Sequence, residues 1–155
     1  MIIIGSDHAG VELKETIIKY FVKRHIEFQE IDCQCDQTAD DYPDVAEKLC
    51  HKVLENNNYL GIAICGTGIG ISIACNKIVG IRAAVCTDSY MAEFARKHNN
   101  ANVLCLGARL DCLKEEDKIE RIVQAFIDNF FEGGRHDRRV QKIKEIEKSN
   151  LEGGN

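Results

Sequence analysis

Cys65-Gly66-Thr67-Gly68-Ile69-Gly70 sets three glycines, a hydroxyl and a thiol directly behind the apolar run YLGIAI. Bare glycines at a strand-to-helix turn can serve tight packing alone. They also expose backbone N–H groups at a helix start, and that makes a cradle for an oxyanion. The loop is not a P-loop, because Gly70 leads into Ile71-Ser72 and not into Gly-Lys-Ser/Thr. Its G-x-G-x-G spacing is one residue short of the dinucleotide fingerprint, and it follows the third strand-like run, not the first. A thiol at the mouth of such a cradle is placed to react, since helix N-termini favour thiolates. The thiolate can attack as a nucleophile or remove a proton. Thr67 adds a hydroxyl that can pass a proton between two oxygens. A base, a relay and an oxyanion cradle are what enolisation requires: a C–H proton beside a carbonyl leaves, and the enediolate oxygen is held.

Other chemically capable residues stand at the ends of elements. Asp7-His8 follows the first apolar run, His98-Asn99 closes a helical stretch, and Arg109 follows the last apolar run. The tail carries Arg135, His136, Arg138 and Arg139. All are expected at one catalytic edge of a sheet. His8 and His98 have a plain reading as capping or packing residues, which weakens beside Asp7 and Asn99. Arg135 and Arg139 are one helical turn apart, so both can face one phosphate; a solvated basic face is the plain alternative.

The elements that must position these groups alternate. MIIIGS reads as a strand, then Leu13, Ile17, Ile18, Phe21 and Val22 recur at helical spacing. EFQEID is a second strand, followed by a polar loop and by a helix that Pro43 opens and that runs to about Glu55. YLGIAIC, IRAAVC and NVLCLG complete five strands. Helices are expected behind the glycine loop, from Asp88 to about His98, and from about Lys114 to Phe130. Continuous apolar runs mark strands buried on both faces of a parallel sheet. The fold class is therefore α/β, a doubly wound sandwich whose ligands bind beyond the carboxyl ends of its strands. One domain is expected over 1–148, with a tail helix at 134–148 beyond a diglycine break and a loose end at 149–155. The tail helix carries Val140, Ile143 and Ile146 on one side and could pack on its own domain or on a partner chain.

Composition narrows the classes. The chain has 155 residues, 45% apolar, with a net charge of −5. That is enough for one self-sufficient core and carries no basic footprint for nucleic acid. No stretch approaches the ~20 apolar residues of a membrane helix, and the start does not read as a signal peptide. Eight cysteines form no C-x-x-C pair and are expected to be reduced thiols in a cytoplasm. Cys33, Cys35 and His51 fit no metal-ligand spacing.

Four segments together, GSDHAG, CGTGIG, ARKHNNANVLCLGAR and GGRHDRRV, resemble the type B ribose-5-phosphate isomerases, which are grouped with galactose-6-phosphate and allose-6-phosphate isomerases. The resemblance runs in order from residue 1 to about 148. It implies a Rossmann-like five-stranded parallel sheet. It also implies a homodimer, paired into tetramers in some members, with sites between subunits and the C-terminal helix reaching the partner. The implied reaction is interconversion of ribose 5-phosphate and ribulose 5-phosphate in the pentose phosphate pathway, with neither metal nor other cofactor.

By position, Cys65 matches the base between C1 and C2, and Thr67 the hydroxyl between O1 and O2. The backbone of Gly66, Gly68, Ile69 and Gly70 matches the anion hole. His98 matches the group that opens the furanose ring, with Asp7 and Tyr42 nearby. His8, Arg135 and Arg139 match phosphate-side contacts, and Asn99, Arg109 and His136 fall in the site. A hexose-6-phosphate isomerase of the same family is the alternative enzyme, and a catalytically idle phosphate-binding module the alternative outside enzymes. A single chain that keeps Cys65, Thr67 and His98 together favours the pentose enzyme.

Overall fold

The computed structural model describes residues 1–31 and 41–153. Five parallel strands form one sheet: β1 (Ile2–Ser6), β2 (Phe28–Glu30), β3 (Leu60–Cys65), β4 (Ala83–Val85) and β5 (Val103–Gly107), in the order β2-β1-β3-β5-β4. The three central strands are the ones whose apolar runs are buried on both faces. β2 and β4 are edges, shorter than EFQEID and IRAAVC suggested and only partly covered. An edge strand has one neighbour to pair with, so its ends fray earlier.

The described residues form six helices: α1 (Val11–Arg24), α2 (Tyr42–Leu54), α3 (Ile69–Cys75), α4 (Ser89–Asn99), α5 (Glu116–Ile127) and α6 (Asp137–Glu152). On one face α1, α4 and α5 pack Ile17, Phe21, Ala92, Ile122 and Phe126 against Ile4, Ile62 and Leu104. On the other, α2 and α3 pack Leu49, Cys50, Ile71 and Cys75 against Ile3, Ala63 and Cys105. These two apolar layers explain most of the cysteines. Cys50, Cys75, Cys86 and Cys105 are buried free thiols acting as small hydrophobes. Burial and the adjacent Asp88 push the Cys86 thiol up to about 12. Cys33 and Cys35 lie outside the described residues.

Local signals set the helix ends. Asp88 caps α4 by accepting from the Met91 N–H at 2.8 Å, and Asn100 closes it in the left-handed region at φ 48°. A 3₁₀ turn at Asp111–Leu113 precedes α5, which is shorter at both ends than the sequence suggested. After α5 the chain turns through Gly133 and Gly134, both at positive φ, into a 3₁₀ turn at Gly134–His136 and then α6. α6 runs to Glu152, past the expected end at 148. Only Val140 of α6 is buried, while Ile143, Ile146 and Leu151 are exposed. Among the described residues no helix is long and apolar enough to cross a membrane.

Candidate active site

β3 delivers Cys65 as its last residue, 4% exposed, paired in register with Gly107 of β5. The chain then turns through the glycine loop into α3. The Gly68 N–H donates to Cys65 Sγ at 3.2 Å, so the loop folds back over the thiol. The Ile69 N–H donates to Thr67 Oγ1 at 3.3 Å. Two glycines here are sterically required. Gly68 has φ +76°, a conformation side chains rarely adopt. A Cβ on Gly107 would sit 2.5 Å from the Thr67 carbonyl, so β5 can pass the loop only without one.

The remaining walls of this half come from neighbouring strand ends. The residue after β1, Asp7, is 5% exposed and donates its N–H to the Ile64 carbonyl at 3.0 Å. Its Oδ1 accepts from the Ala9 N–H at 2.9 Å, capping a 3₁₀ turn on which His8 is exposed. After β5, the Arg109 N–H donates to the Gly66 carbonyl at 2.9 Å, and its side chain lies along Gly66. The Tyr42 ring, at the start of α2, covers Gly70 so closely that a Cβ there would be 2.8 Å from Cζ. Asp7, His8, Tyr42, Cys65, Thr67, Gly66, Gly68, Ile69, Gly70 and Arg109 thus share the carboxyl edge of the sheet.

The second group does not join them. α4 returns antiparallel to the strands, so His98 and Asn99 finish at the amino edge. Asn102, three residues on, accepts from the Gly61 N–H at 2.8 Å and donates its N–H to the Arg82 carbonyl at 3.1 Å, at the starts of β3 and β4. The expectation that all site residues meet on one edge is therefore wrong for a single chain. β5, five residues at about 3.3 Å each, separates the two groups. The resemblance placed Asp7 and Tyr42 near His98, and His8 with Arg135 and Arg139. Within one chain these pairs stand on opposite edges.

At the amino edge His98 stacks on His136, centroids 4.0 Å apart and planes 11° from parallel. His136 is 3% exposed, and its Nε2 accepts from Arg135 Nε at 3.2 Å. An accepting Nε2 means a neutral ring. Burial first, then His98, Arg135 and Arg139, push the His136 pKa down, in agreement with that tautomer. Arg135 sits in the 3₁₀ turn and Arg139 in the first turn of α6, so the two flank His136 from consecutive elements instead of one helix face.

Sequence reasoning missed two neighbours of His98. Phe94, one turn earlier, lies 4.5 Å from it, and Glu132 Oε2 lies 3.8 Å from its Nε2. The i, i+4 spacing of Tyr90, Phe94 and His98 was the available signal for the first. His98, Glu132 and His136 also bring three potential metal ligands within 4.8 Å. Parallel, stacked imidazoles cannot aim both in-plane lone pairs at one ion, and Arg135 already occupies His136 Nε2. Arg135 and Arg139 beside His136 add positive charge, which disfavours a cation here.

A wide groove of about 740 Å³ runs beside α6, lined by Val79, Ala84, Asn99, Ile143, Ile146 and Leu151. Its apolar rim continues the uncovered face of α6.

Comparison with known proteins identifies the family. Residues 2–143 match the family model described as Ribose/Galactose Isomerase. The "Probable ribose-5-phosphate isomerase B" of Mycoplasma pneumoniae is 45% identical, over 92% of this chain and 91% of that protein. A solved ribose-5-phosphate isomerase B from Clostridium thermocellum superposes with a TM-score of 0.86 at 47% identity, covering 96% of this chain and 98% of the other. The Mycoplasma genitalium enzyme, solved with bound ribulose-5-phosphate, has a TM-score of 0.86 at 40% identity, covering 95% of each chain. With a cysteine under a glycine cradle at one edge, a histidine–arginine group at the other, and this match along nearly its whole length, the chain belongs to the ribose/galactose isomerase family.

Proposed function

We propose that this protein interconverts ribose 5-phosphate and ribulose 5-phosphate through an enediolate, as a homodimer in the cytoplasm whose pockets each draw on both chains. The observation that carries the reading is the buried Cys65 thiol held under the glycine loop, with Thr67 beside it and no basic side chain of the same edge in hydrogen-bond contact among the described residues. Cys65 is then the group that moves the C–H proton between C1 and C2, and Thr67 the relay between O1 and O2. The loop backbone from Gly66 to Gly70 holds the enediolate oxygen.

The incomplete edge is what supports the dimer. One chain offers the base, with His8 alone of the phosphate-side contacts, at its carboxyl edge, and Arg135 and Arg139 without the base at its amino edge. A second copy related by a two-fold axis supplies to each what it lacks. Ile69 and Ile73 on α3 and the apolar rim along α6 are the uncovered surfaces that such a copy would bury. His98, Asn99, Arg135, His136 and Arg139 then face the partner's Cys65 loop, with His8 and Arg109 on the cysteine side.

The test is direct. Purified protein is incubated with ribose 5-phosphate without metal or nucleotide, and ribulose 5-phosphate is measured. Turnover that survives EDTA is expected. Turnover only on galactose 6-phosphate or allose 6-phosphate would assign the hexose reaction, and no turnover on any of the three would leave a phosphate-binding module.

Arg139→Ala is expected to raise KM for ribose 5-phosphate about tenfold or more, the usual loss for one charge-assisted hydrogen bond to phosphate. kcat falls with it if phosphate binding energy also positions C2 for the base. A variant with unchanged steady-state kinetics removes Arg139 from the phosphate site.

A further inference from the structure

The His98 ring is held on several sides, and among the described residues one neighbour brings a carboxylate to it. His136 covers a face at 4.0 Å. Phe94 packs at 4.5 Å and is itself backed by Tyr90 at 4.4 Å, so three rings at four-residue intervals form a row along α4. At the edge, His98 Nε2 faces Glu132 Oε2 at 3.8 Å. Its backbone places Glu132 there: its N–H donates to the Lys97 carbonyl at 3.0 Å, tying the segment after α5 to the last turn of α4. Its other oxygen is 3.9 Å from Lys97 Nζ, and Lys97 is itself paired with Glu93 at 2.6 Å. Among the described residues no other carboxylate lies within ion-pair distance of His98. The charged groups otherwise gathered here, Arg135 and Arg139, are cationic.

We propose that Glu132 is a positioning residue that orients His98 and balances its charge for opening of the sugar ring. The inference rests on the isomerase reading above. In ring opening the anomeric O–H loses a proton, the bond from C1 to the ring oxygen breaks, C1 becomes the carbonyl, and the ring oxygen gains a proton. Protons and electrons balance with no external reagent. A histidine that gives one proton and receives the other passes through both charge states. In its charged state it would stand beside His136, on which Arg135 and Arg139 already act, and without Glu132 no counter-charge would lie within ion-pair distance among the described residues. An exposed ion pair adds little to folding stability, so the effect is expected in the rate and not in the melting temperature.

Two reactions separate ring opening from proton transfer. Ribose 5-phosphate is mostly a closed furanose, whereas ribulose 5-phosphate cannot close through its phosphorylated C5 oxygen. Conversion of the aldose therefore needs the ring step, and exchange of the transferable C1 proton of ribulose 5-phosphate with solvent does not. Glu132→Gln is expected to lower kcat for ribose 5-phosphate about tenfold with KM little changed, and to leave the exchange rate within about twofold of wild type. His98→Asn serves as the reference, with the same split but larger. Equal losses in both reactions would make Glu132 a structural support of the whole site and overturn the proposal. So would an unimpaired ribose 5-phosphate rate in Glu132→Gln while wild type turns over. A wild-type protein that leaves ribose 5-phosphate untouched would instead overturn the proposed function, and this inference with it.

Discussion

Cys65→Ala is expected to lose nearly all turnover, about 10³-fold or more, while still binding ribose 5-phosphate. The sulfur is the atom the glycine loop closes on, through the Gly68 N–H at 3.2 Å. The substitution removes the proposed proton carrier without placing anything bulky in its seat. The backbone of the loop is held from elsewhere, by the Ala108 N–H on the Cys65 carbonyl and the Arg109 N–H on the Gly66 carbonyl, both at 2.9 Å. The cradle should therefore persist, and with it the binding. Cys65→Ser is the sharper control. It restores an acceptor for the Gly68 N–H, but a hydroxyl does not ionise at neutral pH, so it should stay as inactive as alanine. Calorimetric binding of the sugar phosphate beside single-turnover rates checks both halves. An active Cys65→Ala enzyme would show that the proton moves through another group.

Much of this half of the site was legible in the sequence, because its residues sit immediately after strands. A continuous apolar run followed by glycines tells where a parallel strand stops, and the chain itself then carries Cys65, Thr67, Asp7 and Arg109 to the same edge. The same rule misled for His98. Its motif, KHNN, looks as much like a catalytic signature as CGTGIG, but it ends a helix, and a crossover helix runs opposite to the strands it joins. The end of α4 must lie where β5 begins. The His98–His136 stack was not legible at all. It depends on how Gly133 and Gly134, at φ 66° and 58°, turn the tail back toward α4, and no local spacing encodes that path. Glu132 escaped for the same reason. It precedes the diglycine as one acid among many, and only the bond from its N–H to Lys97 brings it to the imidazole. The apolar residues of the tail did carry information. Val140 packs inward while Ile143 and Ile146 stay exposed, so one chain covers only part of the apolar stripe that the sequence showed.

In the proposed dimer each pocket takes Cys65 from one chain and His98 from the other. Two poor mutants test it. A dimer of one Cys65→Ala chain and one His98→Asn chain should contain one doubly damaged pocket and one intact pocket. Random remixing, by co-expression or mild denaturation, makes about half of all dimers mixed, so about a quarter of wild-type activity on ribose 5-phosphate should return. If both residues served the same pocket from one chain, every pocket in the mixed dimer would carry a lesion. Activity no higher than the sum of the two mutants, with mixed dimers confirmed by mass, would contradict a pocket shared between chains in this way.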